Sequence, residues 1–299
     1  MGADAWTALQ VAVADGRELD VVLLGPEDSV PVFAHHGTPG TAGLFDTLVA
    51  AGAERNLRHV TYARPGYGGS TRLPGRSVAD CATDVAAIAE ALGYERFYSV
   101  GGSGGGPHSI ACAALLADRV IAAATIASPA PFDAEGLEWT AGMGEENVSE
   151  IAALRAGDRE LEAFLKDEAA RMRKATPADI AAVLGDVVSE ADRRTITGGY
   201  AEWLAEECAA SVAGGVWGWF DDDRALFGDW GFALEDIAAP LMIWHGGDDR
   251  FVPIAHGRWL VERTGVRAEL RPDAGLLTLT IGSYGEILDG LLGLASLRQ

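Results

Sequence analysis

A serine set among glycines is the residue of this chain whose surroundings are best suited to chemistry. Residues 97–108 run from an apolar, β-rich segment through Gly101-Gly-Ser-Gly-Gly105 into an alanine-rich helical pattern. Gly-x-Ser-x-Gly between a strand and a helix is the nucleophile elbow, in which a strained serine projects its hydroxyl from the strand end. Small neighbours are needed because a Cβ would obstruct the sharp turn. The glycine spacing fits neither the dinucleotide-binding pattern nor the P-loop. Ser103 is therefore predicted to be a nucleophile.

The elements that must position Ser103 follow from the order of the apolar patterns. β-rich runs occur at residues 6–13, 18–24, 30–34, 59–63, 97–102 and 120–127. Helical patterns occur at residues 43–54 and 77–92, and from the elbow to about 117. Alternation of strands with helices predicts a parallel sheet covered on both faces, hence the α/β class. Asp15-Gly16 predicts a hairpin between the first two strands.

The β/α alternation is interrupted in the middle of the chain. From about residue 133 to 232 the patterns are helical, and strands resume at Pro240 and at residues 266–270. We therefore expect a core formed by residues 1–132 and 233–299. Residues 133–232 are expected to form a helical lid over the carboxyl edge of the sheet.

Composition and net charge limit the kinds of molecule that the protein is expected to bind. Hydrophobic residues make up 48% of the 299 residues and the net charge is −21, which fits one large domain and argues against nucleic acid or an anionic membrane as partner. The N-terminal residues lack a secretory signal pattern and no apolar run reaches membrane-spanning length. We expect a cytoplasmic monomer or homodimer that acts on a small molecule. No metal or cofactor is predicted, since Cys81, Cys112 and Cys208 have no metal-ligand spacing.

Two motifs together give the chain a family resemblance. His36-Gly-Thr-Pro-Gly40 follows an early strand, and Gly102-Ser-Gly-Gly-Gly-Pro107 forms the elbow. With an aspartate-bearing turn later in the chain, they resemble the α/β-hydrolase fold, and in local sequence the subgroup of proline iminopeptidases and small bacterial esterases. The resemblance covers nearly the whole chain. It implies a mostly parallel central sheet flanked by helices, with an inserted helical lid.

The resemblance also implies roles for individual residues. The backbone N–H groups of Thr38 and Gly104 would form the oxyanion hole, and His36 and Gly37 would line the substrate site. In the segment from Trp244 to Pro253, the family's acid falls on Asp249 rather than Asp248. Its role would be to orient a histidine and to stabilise the imidazolium.

The histidine itself is missing. The family places it in an Ala-Gly-His turn after the next strand, and this chain has Ala274-Gly-Leu276. Leucine has neither a lone pair nor a transferable proton, so Ser103 cannot be activated in the usual way. The function predicted is hydrolysis of an ester or amide bond in a small apolar or aromatic substrate, slow or absent in the chain as it stands.

Three explanations of Leu276, and one rival function from another class, remain open. Leu276 can be a change introduced into an ordinary hydrolase. The chain can instead be a natural non-hydrolytic member, a cyclase, lyase or isomerase that uses the oxyanion hole and Ser103 to polarise a carbonyl. Another histidine can serve, although His108 should point away from Ser103, His245 should be packed and His256 should lie on a helix surface. Finally, the protein can be a ligand sensor without turnover.

An aromatic concentration in the predicted lid suggests where a substrate binds. Trp217, Trp219 and Phe220 follow one another closely, and they are predicted to contact an apolar or aromatic ligand. Packing within the lid is the alternative that the sequence leaves open.

Overall fold

A computed structural model describes residues 6–296. The strands are β1 (Trp6–Ala12), β2 (Glu18–Leu24), β3 (Val30–His35), β4 (Leu57–Tyr62), β5 (Phe97–Gly102), β6 (Val120–Ile126), β7 (Leu241–Gly246) and β8 (Arg267–Arg271). The helices are α1 (Asp46–Ala53), α2 (Asp80–Ala91), α3 (Gly106–Leu115), α4 (Glu145–Ala156), α5 (Asp158–Met172), α6 (Ile180–Leu184), α7 (Glu190–Thr195), α8 (Gly198–Ser211), α9 (Trp217–Leu226), α10 (Ile254–Thr264) and α11 (Leu276–Ser296). The predicted strands are confirmed to within a few residues at their ends.

The strands form one mostly parallel sheet in the order β1-β2-β4-β3-β5-β6-β7-β8. β1 pairs antiparallel with β2 in the predicted hairpin, and β2 pairs antiparallel with β4. The pairings from β4 through β8 are parallel. The carboxyl ends of β3 and β5 therefore lie side by side, which brings the turn after His35 next to the elbow.

The sheet separates two apolar cores. In β3, Phe33 packs into one core while Val32 and Ala34 pack into the other, because successive strand residues point to opposite faces. Helices α2, α3 and α10 cover the first face, whereas α1 and α11 cover the second. Burial on both faces explains why the central strands are apolar throughout.

Helices α4 to α9 lie in the chain between β6 and β7, and we call residues 145–226 the helical segment. The helical segment has an apolar core of its own around Leu161, Leu165 and Ile180, and the sheet-side residues Ala63 and Tyr67 join that core. The boundaries 133–232 and the lid role remain predictions. Among the helices at residues 6–296, none combines the length and apolar character needed to cross a bilayer.

Candidate active site

Ser103 lies at a sharp turn between β5 and α3. Its φ is +51°, a left-handed conformation that costs a non-glycine residue free energy and is typical of functional turns. The flanking glycines are required sterically. A Cβ on Gly105 would lie 2.2 Å from His35 O, and one on Gly101 would lie 2.1 Å from Gly105 O. The predicted strand–turn–helix geometry around Ser103 is therefore present.

The turn after β3 lies against the elbow. A Cβ placed on Gly104 would be 3.2 Å from Thr38 N, and one placed on Gly37 would be 3.7 Å from Ser103 Cβ. The backbone of Thr38 and that of Gly104 are thus adjacent at the serine, as an oxyanion hole requires.

Arg64 holds the turn after β3 in place. Its guanidinium donates to His36 O at 2.6 Å and to Gly37 O at 2.8 Å. The carboxylate of Asp222, on α9, accepts hydrogen bonds from Arg64, Arg76 and Thr38 Oγ1. Burial alone would raise the pKa of Asp222, but the two guanidinium groups outweigh it and hold that pKa well below its usual range. The turn that carries Thr38 is consequently tied to the helical segment by charge.

Asp249 is buried in the loop after β7, whereas Asp248 beside it is exposed. Asp249 Oδ1 accepts hydrogen bonds from the N–H groups of Phe251 and Val252, each at 2.9 Å. Asp249 Oδ2 has no hydrogen-bond partner within residues 6–296. Burial raises the pKa of Asp249 well above its usual range in spite of the backbone N–H donors. His245 Nε2 lies 3.9 Å from Oδ2, beyond hydrogen-bonding distance. A buried oxygen without a hydrogen bond is what loss of a histidine partner would leave.

Leu276 is the first residue of α11 and is buried, with 7% of its surface exposed. Its turn contacts the acid loop directly, because Asp248 N donates to Ala274 O at 2.9 Å. Asp192, on α7, accepts hydrogen bonds from Thr278 N and Oγ1 and thereby caps the N-terminus of α11. Leu276 shares one cavity with Ser103. The position expected for the histidine therefore lies in the site and holds an apolar side chain.

The six histidines all fall within the described residues, and none has a hydrogen bond to Ser103 there. His36 packs into the loop, with Nδ1 2.7 Å from Gly37 O and Nε2 accepting from Arg64 N. His108 Nδ1 is 2.8 Å from Gly104 O, and His245 Nε2 is 2.7 Å from Val252 O. The predicted surface position of His256 is wrong: the ring is buried against Trp139, and its two nitrogens bond the backbone groups of Ala130 and Trp139.

Two cavities meet at Ser103. The larger, of about 270 Å³, is lined mainly by apolar groups from the sheet edge, from α11 and from the helical segment, including Leu276, Met172 and Trp203. The smaller, of about 90 Å³, is lined by residues that include Thr38, Gly104, Trp139, Glu150 and Asp223. Ser103 and Thr38 border both cavities.

The predicted aromatic residues take other positions. Trp217 is exposed and stacks on Arg72, whose guanidinium carbon is 4.1 Å from the ring centroid. Trp219 and Phe220 are buried in the core of the helical segment, and Trp219 Nε1 donates to Glu150. None of the three borders the two cavities at Ser103. Tyr200, Trp203 and Phe251 supply aromatic surface there instead.

Sequence reasoning did not single out Arg64, Glu150 or Asp223. In the sequence, Arg64 begins a glycine-rich turn and Asp223 ends an acidic run. Neither pattern by itself indicates a residue at the active site. Glu150 lies in a helix with many acidic residues, and no sequence signal separates it from them.

The chain belongs to the alpha/beta hydrolase fold family, whose model matches residues 30–275. The match ends one residue before Leu276. Among curated relatives, a bifunctional esterase/perhydrolase of Acinetobacter calcoaceticus is 31% identical over 122 residues, covering 40% of this chain and 44% of the relative. A non-heme chloroperoxidase of Streptomyces lividans is 26% identical over 281 residues, covering 93% of this chain and 96% of the relative.

Solved structures show the same fold. A hydrolase from Pseudomonas aeruginosa PA01 superposes with a TM-score of 0.69 at 20% identity, covering 97% of this chain and 100% of the other. An enol-lactonase from Burkholderia xenovorans LB400 gives 0.67 at 18% identity, covering 95% and 100% respectively. The fold class predicted from the sequence is confirmed.

Proposed function

We propose that this protein acts on an ester or amide carbonyl of a small apolar substrate bound in the 270 Å³ cavity. The observation that carries this proposal is the left-handed Ser103 beside the backbone of Thr38 and Gly104, at the edge of that cavity. An alkoxide that develops on the carbonyl oxygen would be stabilised by the two N–H groups, where loss of one donor typically costs about 10²–10³ in rate. The names of the curated relatives, an esterase/perhydrolase and a chloroperoxidase, support an enzyme of this fold.

Hydrolysis through nucleophilic attack by Ser103 should be slow, because Leu276 cannot accept the proton of the Ser103 hydroxyl. In subtilisin, loss of the histidine costs about 10⁶ in turnover, leaving about 10³–10⁴ over water. The helical segment would act as the lid, since its side chains line the cavity together with residues of the sheet edge. It would select substrates by size and apolar character.

Replacement of Leu276 with histidine tests the proposal. Leu276→His should raise the rate of p-nitrophenyl acetate hydrolysis by about 10³-fold or more, because it supplies a base and a partner for Asp249. Adding Ser103→Ala should remove the gain. Leu277→His is the matched control, since Leu277 borders the same cavity one residue along, and it should give no gain. A Leu276→His variant no faster than the unmodified chain would contradict the proposal.

A non-hydrolytic reaction is the second candidate. It is favoured by the buried Leu276, which supplies no base for acyl transfer, and by Asp249 Oδ2, which has no hydrogen bond to a catalytic partner among residues 6–296. In that case Leu276→His would give no hydrolysis, and a carbonyl ligand would still protect the protein against thermal unfolding.

A further inference from the structure

The smaller cavity at Ser103 contains a pair of acidic side chains with no role in the family's serine chemistry. Glu150 on α4 and Asp223 on α9 both border this cavity, as do Thr38 and Gly104. Asp223 is 2% exposed, and its Oδ2 accepts no hydrogen bond from any N–H or hydroxyl group of residues 6–296. A buried carboxyl oxygen without a donor is costly unless a proton is shared with a neighbour.

The neighbour of Asp223 is Glu150. Glu150 and Asp223 border the same cavity, and a hydrogen bond between their carboxyl groups, which contributes to both pKa shifts, requires that one of the two carries a proton. Burial and the Glu150 charge raise the pKa of Asp223 well above its usual range. Burial raises the pKa of Glu150 to about 7, although hydrogen bonds from Asp223 and Trp219 oppose the shift. Burial and the closeness of the two carboxyl groups thus favour a proton shared between Glu150 and Asp223.

Other charges also act on the pair. Glu168 on α5 adds to the raised pKa of Glu150. Asp222 raises the pKa of Asp223 and Arg76 lowers it. Trp219 Nε1 fixes the Glu150 carboxyl through a 2.5 Å hydrogen bond to Oε1. The carboxyl group is therefore held in place beside the cavity.

We propose that Glu150 and Asp223 act as a proton-transfer pair for a carbonyl compound bound at Ser103, with Glu150 serving as the base for an attacking water molecule. The cavity volume of about 90 Å³ accommodates a few water molecules at about 30 Å³ each. It is small for an acyl chain, which the larger cavity accepts. This proposal rests on the proposed function, because it supplies the base that Leu276 does not.

The reaction balances with water as the co-reactant. The water oxygen bonds to the carbonyl carbon, one water proton passes to the Glu150 carboxylate, and the carbonyl π pair moves onto oxygen at the N–H groups of Thr38 and Gly104. The electron pair then returns, the bond to the leaving oxygen breaks, and that oxygen takes the proton from Glu150. Carboxylic acid and alcohol are released, and Glu150 is again a carboxylate. Asp223 donates to Glu150 and does not exchange protons with the substrate.

The pH dependence of p-nitrophenyl acetate hydrolysis by the full chain tests the pair. The rate of the unmodified chain above buffer should rise with pH through about 7, as Glu150 loses its proton. Glu150→Gln should lower that rate about 10²-fold or more and remove the rise, since general-base catalysis contributes about 10²–10⁴. A glutamine retains the acceptor for Trp219, so the fold contact is preserved. Glu138→Gln, an exposed substitution next to Trp139, is the matched control and should keep the rate and the pH profile.

A second variant tests the positioning role of Asp223. Asp223→Leu removes the donor to Glu150 while burial remains, so the midpoint of the pH profile should rise by about one unit or more. A purely structural role would lower the rate without moving the midpoint. A melting curve for each variant identifies loss of fold.

Failure of this inference is distinguishable from failure of the proposed function. The pair is excluded if Glu150→Gln retains the rate and pH profile, or if the unmodified chain is no faster than buffer. If the unmodified chain is no faster than buffer but Leu276→His gains activity, the proposed function still holds and only the pair is excluded. A Glu150-dependent rate in the unmodified chain, with no gain from Leu276→His, upholds the pair and contradicts the serine chemistry.

Discussion

Arg64 and Asp222 form a buried ion pair between the turn after β4 and helix α9. Their side chains are 1% and 0% exposed, and Arg64 Nε donates to Asp222 Oδ1 at 3.0 Å. The same guanidinium bonds the carbonyl groups of His36 and Gly37. The backbone that presents Thr38 to Ser103 is thereby connected to the helical segment through one carboxylate, so the placement of that segment and the oxyanion turn depend on each other.

Asp222→Asn should destabilise the protein strongly. It leaves the buried guanidinium groups of Arg64 and Arg76 without a counter-charge, a loss worth about 3–5 kcal/mol for a buried pair. The free energy of unfolding, measured with urea, should fall by about that amount. Activity in the Leu276→His background should fall as well, because Thr38 loses its support.

Asp289→Asn is the control for this substitution. Asp289 pairs with Arg55 at the surface, with 61% of the Asp289 side chain exposed, and exposed pairs contribute about 1 kcal/mol or less. Equal destabilisation by the two substitutions would show that the Arg64–Asp222 pair has no special structural role.

The sheet could be predicted from the sequence because its signals are local. Apolar strand runs, turn residues and the glycines around Ser103 each occupy a few consecutive positions, and β5, α3 and β7 lie where these signals place them. The final strand, predicted at 266–270, is shifted by one residue to Arg267–Arg271. The resemblance placed Asp249 and Leu276, and the structure brings their loops together.

The contacts between the sheet and the helical segment could not be predicted in this way. Arg64 and Asp222 are 158 residues apart in the chain, and nothing local indicates their pairing. The sequence predicts that Trp217, Trp219 and Phe220 contact a ligand. Neighbouring residues of a helix point in different directions, so these three side chains have different surroundings. On α9, Trp217 consequently faces solvent while Trp219 and Phe220 face the segment's core.

Asp249 should make stability fall as pH rises. Its pKa in the folded protein is raised by burial above an unfolded value of about 3.9, so the folded state binds this proton more tightly. Its favourable contribution is present below the unfolded pKa and is lost as pH rises through the folded pKa. Asp249→Asn removes this dependence. Relative to the unmodified chain, the variant should therefore be more stable at about pH 8 than at about pH 5, as measured by urea unfolding.

Asp248→Asn provides the matched control for Asp249→Asn. Asp248 is the exposed neighbour in the same loop, and its replacement should leave the relative stability equal at the two pH values. In the Leu276→His background, Asp249→Asn should instead be less stable at about pH 8 than at about pH 5, relative to its parent. The reason is that a histidine partner favours the Asp249 carboxylate. If Asp249→Asn loses stability relative to the unmodified chain between about pH 5 and about pH 8, the carboxyl group is ionised and well paired, contrary to the geometry.

Trp203, rather than Trp217, should control the length of the acyl chain that the site accepts. Trp203 borders the larger cavity and packs against Tyr200 and Phe45, with ring centroids 5.9 and 5.6 Å apart. Trp203→Ala in the Leu276→His background extends this apolar space. The ratio of kcat/KM for p-nitrophenyl octanoate over butyrate should rise about tenfold or more, since each buried methylene is worth about 0.8 kcal/mol.

Trp217→Ala distinguishes the cavity geometry from the sequence prediction. Trp217 is 40% exposed and contacts Arg72 on the outside of the helical segment, so its replacement should leave the octanoate-to-butyrate ratio within about twofold, because no methylene of the substrate reaches it. The two variants are compared at equal folded fraction, judged by melting curves. A larger change in the ratio for Trp217→Ala than for Trp203→Ala would show that Trp217 contacts the substrate. It would also exclude the 270 Å³ cavity as the site that binds the acyl chain.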